Sequence, residues 1–462
     1  MRIVNTRRGS IKCRPLIIFL AMLGLIVSLR FEGPLWGDGA ALPHVLVISV
    51  DGMAAGVYAK PWAGVRIPNL LRLKKEGSFA EGVVGVYPTV TYPAHTTLVT
   101  GCVPAEHGVY SNLSSREAGK NPHDWFWFSK AIKVPTLWNE ARSAGMTSGA
   151  IAWPVTVGAP IDWNIPEIWD PQRGDVGDFG YIAKFMDPGL AGEVVQFLSG
   201  IGPGADTDVV RTRLAAYLIK KHRPNLFLIH LAEPDNDEHQ HGPQSAEARS
   251  ALERVDARIE ELLGAVREAG VEDSTDVFVV SDHGFLPIER EIRPNVLLVK
   301  AGLLEADGQG AVTGGKLATV SNGGSFFIYW PPSMDLRAEV DRALQPLRSA
   351  GVLWGVVDSR GLREIGAEPA VQLALEAPEG ATFTSAAGGE LTGPMTRPGG
   401  THGYLPFRAG LEASFIAWGP RIKGGMNLHR IRMTAIGPTI LKDLGINDPR
   451  FGDGSPPLDI LR

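Results

Sequence analysis

The chain has 462 residues, 44% of them hydrophobic and 21% charged, with a net charge of −5 and a pI near 6.2. That is ordinary globular composition, long enough for one large core or two modest ones. There is no basic excess to hold a nucleic-acid duplex by counterion release, which argues against duplex binding.

The first 41 residues read as an export segment or N-terminal anchor. Arg7, Arg8, Lys12 and Arg14 precede an apolar run from Pro15 to Leu29, and small residues follow at Gly37, Gly39, Ala40 and Ala41. The run is short of the roughly 20 residues that span a bilayer, so a signal peptide and a periplasmic or secreted protein are expected; an uncleaved anchor is the alternative. Cys102 is then alone in the mature chain and forms no internal disulfide. It is expected in the core.

Short apolar runs at Val45–Val50, Ala150–Trp153, Asn225–Leu231, Asp276–Val280 and Ala413–Trp418 read as buried parallel strands. Helical patterns lie between them. The clearest is Ser245–Ala269, with Leu252, Val255, Ile259, Leu262 and Val266 on one face. Strand–helix alternation predicts an α/β core with a mostly parallel sheet covered on both faces. Residues 290–400 break the pattern, with a strand expected at Ser325–Trp330 and a helix near Asp335–Ser349. We expect a smaller α+β insertion there, with the core formed by 42–289 and 401–462.

The residues just past the strand ends carry the chemistry. The first strand ends at Asp51-Gly52, the third runs into Glu233-Pro-Asp235, and the fourth ends at Ser281-Asp282-His283. Ligands of open α/β sheets bind at that edge. Asp235 and His239, four apart, fall on one helical face, and His402 adds a further imidazole. Carboxylates and imidazoles without a thiolate cluster suit zinc, and less specifically manganese or iron. Two such ions would clamp the oxygens of an in-line phosphoryl displacement. In Tyr87-Pro-Thr-Val-Thr91-Tyr-Pro93, the second proline fits a first helical turn and places Thr91 at a helix N-terminus, where backbone N–H groups favour phosphate. The residues alone leave a plain helix cap as the alternative for Thr91.

Taken in order, these segments resemble the nucleotide pyrophosphatase/phosphodiesterase family of the alkaline phosphatase superfamily. They are Val-Asp51-Gly, Ile67-Pro-Asn-Leu, Pro-Thr-x-Thr91-x-Pro, Thr100-Gly with His107-Gly, Trp153-Pro, Glu-Pro-Asp235 with His239, Ser-Asp282-His283-Gly and His402-Gly-Tyr. The resemblance implies an alkaline phosphatase-like three-layer α/β/α fold and two zinc sites. Asp235, His239 and His402 would hold one ion; Asp51, Asp282 and His283 would hold the other, with Thr91 as its reactive ligand and as the nucleophile of a covalent phosphothreonine. Asn112 matches the family's donor to a non-bridging phosphate oxygen. The substrate implied is a small phosphodiester or nucleotide.

There are departures from the family's pattern. The family commonly has Phe-Pro-Asn-His after the nucleophile, where this chain has Tyr92-Pro93-Ala94-His95. This puts the wall of the substrate pocket in doubt, not the chemistry. His95, His107 and His241 are expected to be structural, and Trp125-Phe-Trp-Phe128 to pack in the core. A sulfatase is rejected because Thr and His stand where its Cys/Ser and Arg would be. A phosphomonoesterase of the same superfamily remains an alternative. Between Trp153 and Met186 only Arg173 and Lys184 are cationic, without a Lys-x-Arg pair, which favours diesters. A non-catalytic envelope protein that keeps the fold predicts lost ligands, and none is lost.

Overall fold

A computed structural model describes residues 42–114, 125–170, 172, 177–200 and 207–462. Residues 1–41, expected to be an export segment or anchor, and Arg173 lie outside the described residues. Among the described residues, no helix is long and apolar enough to cross a membrane.

The central sheet has eight strands: β1 His44–Val50, β2 Ser78–Phe79, β3 Ser148–Ile151, β4 Trp163–Ile165, β5 Leu226–Leu231, β6 Thr275–Val280, β7 Phe415–Trp418 and β8 Met426–Asn427, in the spatial order β8-β2-β7-β6-β1-β5-β3-β4. β1 runs parallel to both β5 and β6, while β7 closes on β6 antiparallel. Side chains alternate between the faces of these buried strands. Leu46, Ile48 and Val50 meet the helices Pro68–Glu76 (α1), Thr207–His222 (α3) and Ala246–Glu268 (α5). Val45 and Val47 meet Thr91–Thr100 (α2) and Ile436–Asp443 (α6) on the other face. Each face carries its own apolar cluster, which makes the three-layer α/β/α fold.

Local signals explain the element ends. α5 begins where Ser245 accepts the N–H of Ala248, an N-cap that fills an orphan donor of the first turn. The strand expected at Ala150–Trp153 is displaced to Ser148–Ile151, because Ala152 (φ 51°) and Val155 (φ 60°) leave the extended region. The helix expected over Asp335–Ser349 divides into Arg337–Ala343 and Gln345–Ser349. Pro346, in the first turn of the second piece, cannot continue the hydrogen-bond ladder of the first.

After β6 the chain builds a second, smaller arrangement. Strands Ala318–Ser321, Ser325–Tyr329, Leu373–Glu376 and Gly355–Asp358 form an antiparallel sheet, and Leu286–Ile292 pairs with Gly380–Phe383 and Thr392–Thr401. Phe326, Ile328, Leu373 and Leu375 anchor its separate apolar cluster. This part touches the loop ahead of α2: buried Glu376 accepts the Tyr87 hydroxyl (2.6 Å) and the N–H of Leu405 (3.0 Å).

Candidate metal centre and nucleophile

Three carboxylates and three imidazoles gather at the carboxyl ends of β1, β5 and β6. Asp51 follows β1 directly, its N–H bonded to Leu231 O (2.8 Å). Gly52 turns the chain with φ 75°, and a Cβ there would stand 2.7 Å from the Phe285 ring. Its N–H reaches Oδ1 of Asp282 (3.1 Å), which also accepts the N–H of His283 (3.0 Å). One oxygen of Asp282 is thereby held by backbone, while Oδ2 is buried without a hydrogen-bond partner. Asp51 Oδ1, Asp235 Oδ1 and both ring nitrogens of His283 are in the same condition. Buried polar atoms are normally paired, so a cluster of orphans calls for an explanation.

The atoms fall into two sets. Asp51, Asp282 and His283 present ligand atoms within 4.8 Å of one another, and so do Asp235, His283 and His402. His283 Nε2 stands 3.2 Å from Asp282 Oδ2 and 3.5 Å from Asp51 Oδ1. Asp235 and His239, one turn apart on the helix Glu233–His241 (α4), approach to 3.5 Å, and His402 Nε2 lies 3.7 Å from the same Asp235 oxygen. His283 is thus shared, its ring stacked on that of His402 at 3.7 Å.

Two hydrogen bonds fix the tautomers. His402 Nδ1 faces Thr89 O (2.8 Å) and His239 Nδ1 faces Gly400 O (3.1 Å). A carbonyl only accepts, so both Nδ1 atoms carry the proton and both Nε2 atoms carry lone pairs. Those two Nε2 atoms are 3.2 Å apart. Two lone pairs at that distance repel unless a proton or a metal cation lies between them. The electrostatics agree with a site made for positive charge. Burial, then the Asp235 and Asp282 charges, pushes the Asp51 carboxyl well above its usual range; burial raises Asp235 to about 6 and holds His283 and His402 low. The donor set, the orphaned atoms and the opposed lone pairs all fit divalent cations bound by oxygen and nitrogen.

Thr91 is the first residue of α2 and is 8% exposed. Two contacts bring it to the centre. His95 Nδ1 bonds Thr91 O (2.8 Å) and stands 3.8 Å from Asp282 Oδ2. The preceding loop is laced to the loop carrying His402, with Gly403 N–H on Thr89 O (2.9 Å) and Thr89 Oγ1 donating to Tyr404 O (3.0 Å). Gly403 (φ 87°) is obligatory, since a Cβ would fall 1.7 Å from Asn322 O. Asn112 Oδ1 accepts the N–H of Tyr92 (2.9 Å), an orphan donor of the first turn of α2. The amide orientation is set by that bond, which leaves Nδ2 as a donor near the start of α2.

The other expectations divide. His95 and His107 are fully buried and bonded to Ser49 Oγ (2.8 Å) and Thr97 Oγ1 (3.1 Å), while His241 is exposed. Cys102 is buried, and burial pushes its thiol up to about 12. Trp127 packs in the core against Trp169, with Trp125 partly covered, but Phe128 is 41% exposed. Sequence reasoning missed three polar residues around the centre, His230 and Glu238 buried and Glu167 partly buried. His230 sits in β5 beside Asp51. Glu167, raised by burial to about 7, neighbours Tyr92 and Arg211. Glu238 lies against Gly52. For His230 there was a signal, a lone imidazole in the apolar run Leu226–Leu231; for the glutamates there was none.

Comparison with known proteins points the same way. The family described as type I phosphodiesterase / nucleotide pyrophosphatase matches residues 45–405. Human ectonucleotide pyrophosphatase/phosphodiesterase family member 1 is 30% identical over 258 residues, 53% of this chain and 24% of that protein. The bis(5'-adenosyl)-triphosphatase of Bos taurus is 27% identical over 280 residues, 58% of this chain and 54% of that protein. The chain therefore spans about a quarter of the human relative's length. Among solved structures, human ectonucleotide pyrophosphatase/phosphodiesterase 5 superposes with a TM-score of 0.64 at 20% identity, over 90% of this chain and 99% of that one. An inactive form of the murine protein, in complex with AMP, gives 0.61 at 20% identity, over 91% and 100%. At that identity the likeness establishes the fold.

Proposed function

Because the chain belongs to the type I phosphodiesterase/nucleotide pyrophosphatase family, we propose that it hydrolyses small phosphodiesters or pyrophosphates, nucleotides among them, with Thr91 as nucleophile. The observation that carries this reading is the approach of the Nε2 atoms of His239 and His402 to 3.2 Å beside the buried carboxylates of Asp51 and Asp282 and the partly buried Asp235. Two divalent cations, zinc by the donor chemistry, would be held by Asp51, Asp282 and His283 and by Asp235, His239 and His402. When bound they supply the positive charge that acidifies a hydroxyl and neutralises a phosphoryl group.

The chain's own residues do the rest. Thr91 Oγ attacks phosphorus, and the leaving oxygen departs with the bonding electron pair. Water then attacks the phosphothreonine, releasing the phosphate product and restoring the hydroxyl. The N-terminus of α2 faces the anion. Asn112, oriented by Tyr92 N–H, donates from Nδ2 to a non-bridging oxygen as charge develops. The stretch between Trp153 and Met186 carries no Lys-x-Arg pair, which supports a monoanionic diester over a dianionic monoester. The proposal includes export to the periplasm or the medium, resting on the basic and apolar pattern of residues 1–41.

The test compares nitrophenyl esters. Wild type should prefer a nitrophenyl nucleotide diester over nitrophenyl phosphate. Thr91→Ala should cost roughly 10³-fold or more in kcat with the melting temperature unchanged. A Thr91→Ala variant that keeps most of its activity removes the nucleophile from the account.

A further inference from the structure

Asp51 shows a different environment at each of its two oxygens. Oδ1 faces His283 and the centre, with no hydrogen-bond partner of its own. Oδ2 stands 3.3 Å from Nε2 of His230, a residue that is 1% exposed within an otherwise apolar strand. A leucine or phenylalanine would suit the packing there. An imidazole brings polar atoms that are costly to bury unless they do something.

The ring packs against His95 and the backbone is held by its neighbours, while Nδ1 is buried without a hydrogen-bond partner. His230 pairs with Ser49 in the β1–β5 register, and Ser49 Oγ bonds His95 Nε2 (2.8 Å). The His95 ring lies edge-on against the His230 ring, 4.5 Å between centroids. Buried Arg211 donates from Nη1 to His230 O (3.2 Å) and stands 3.4 Å from Asp208 Oδ1. Asp208 Oδ2 in turn accepts the N–H of Glu233, the first residue of α4, which carries Asp235 and His239. One polar strut thus joins the backbone under His230 to the helix that supplies the other ligand set.

We propose that His230 is a positioning residue for the metal ligand Asp51: its Nε2–H occupies Oδ2, so that Oδ1 alone is presented to the cation. This rests on the two-cation reading above. Outer partners of this kind typically change metal affinity by about 10–100-fold when removed.

Three variants of the full chain separate this role from packing. The side-chain nitrogen of glutamine can stand in for Nε2, asparagine falls short of that position, and phenylalanine keeps the ring but has no donor. Zinc affinity is read by competition with a chromogenic chelator, with circular dichroism as the check on folding. We expect His230→Asn and His230→Phe to weaken uptake of one of the two cations by about 10–100-fold, with kcat recovering in excess zinc and KM unmoved. His230→Gln should stay within about threefold of wild type, well inside that range. The proposal is overturned if Phe or Asn binds like wild type, or if Gln is impaired as much as Phe. A wild-type chain that takes up no cation at all removes the two-cation reading itself, a distinguishable outcome.

Discussion

A single strand, β6, carries a buried aspartate near each end, and the two are treated in opposite ways. Near its start Asp276 meets Arg421: Nη2 stands 2.8 Å from Asp276 Oδ2, and Nε bonds Oδ1 of Asp443 (2.9 Å). The same guanidinium also donates to Ser274 O (2.9 Å) and His44 O (3.2 Å). Just past its other end Asp282 has no arginine or lysine within ion-pair distance among the described residues; its neighbours are two more carboxylates and imidazoles that burial keeps neutral. The first cluster contains its own cation and ties strand to loop and helix. The second holds the same kind of charge and lacks the cation. Burial alone therefore does not mark a site. Burial with the counter-charge left out does.

This contrast can be broken or sharpened experimentally. Asp282→Asn keeps the oxygen that accepts the Gly52 and His283 N–H groups but loses the charge; it should cut kcat/KM roughly 10³-fold or more. The metal-free variant should melt no lower than metal-free wild type, and a large drop in its melting temperature would make Asp282 structural. Arg421→Met removes the internal cation from the other cluster. It should cost about 3 kcal/mol of stability, the low end for a broken buried pair because the guanidinium is 23% exposed. Denaturant unfolding measures this, and kcat should not change. Asn112→Ala should lower kcat about 10²-fold with KM little altered; steady-state kinetics would show a change in KM alone if the amide only bound substrate.

A pH-dependent effect concerns a third buried acid, Glu376. Burial lifts its carboxyl from the ordinary 4.5 to about 8, against the opposing Tyr87 bond. A raised folded-state value means the native chain keeps a proton that the unfolded chain has lost. The stability this contributes is full below about pH 4.5 and is lost as pH rises through 8. Glu376→Gln does not titrate, so wild type should lose stability relative to it between those limits. Parallel melting curves that keep a constant gap would refute this.

Much of the candidate centre was legible because its acids and imidazoles sit next to strand ends, where adjacency in sequence becomes adjacency in space. Asp51, Asp282 and His283 needed only the end of an apolar run, and Asp235 with His239 needed only the helical repeat. Pro93 located the start of α2, and Ser245 that of α5. The hidden part depends on register between distant strands. No local pattern places His230 beside Asp51, because the β1–β5 pairing that puts Ser49 next to His230 joins segments 181 residues apart (230 − 49). The sharing of His283 between both ligand sets follows from the stacking on His402, which the chain reaches only after the second sheet is built. Glu376 bonding Tyr87 likewise crosses 289 positions. The break after Ile151 came from two non-glycine residues with positive φ, a conformation that composition does not announce.

The central claim, that the acid and imidazole cluster lacks only divalent cations, is tested most directly by counting metal in the purified full chain by elemental mass spectrometry before and after dialysis against a chelator. The account predicts two cations per chain, lost together with turnover and regained with it when zinc is restored. A chain that carries no metal and turns over a phosphodiester undiminished in chelator would contradict it.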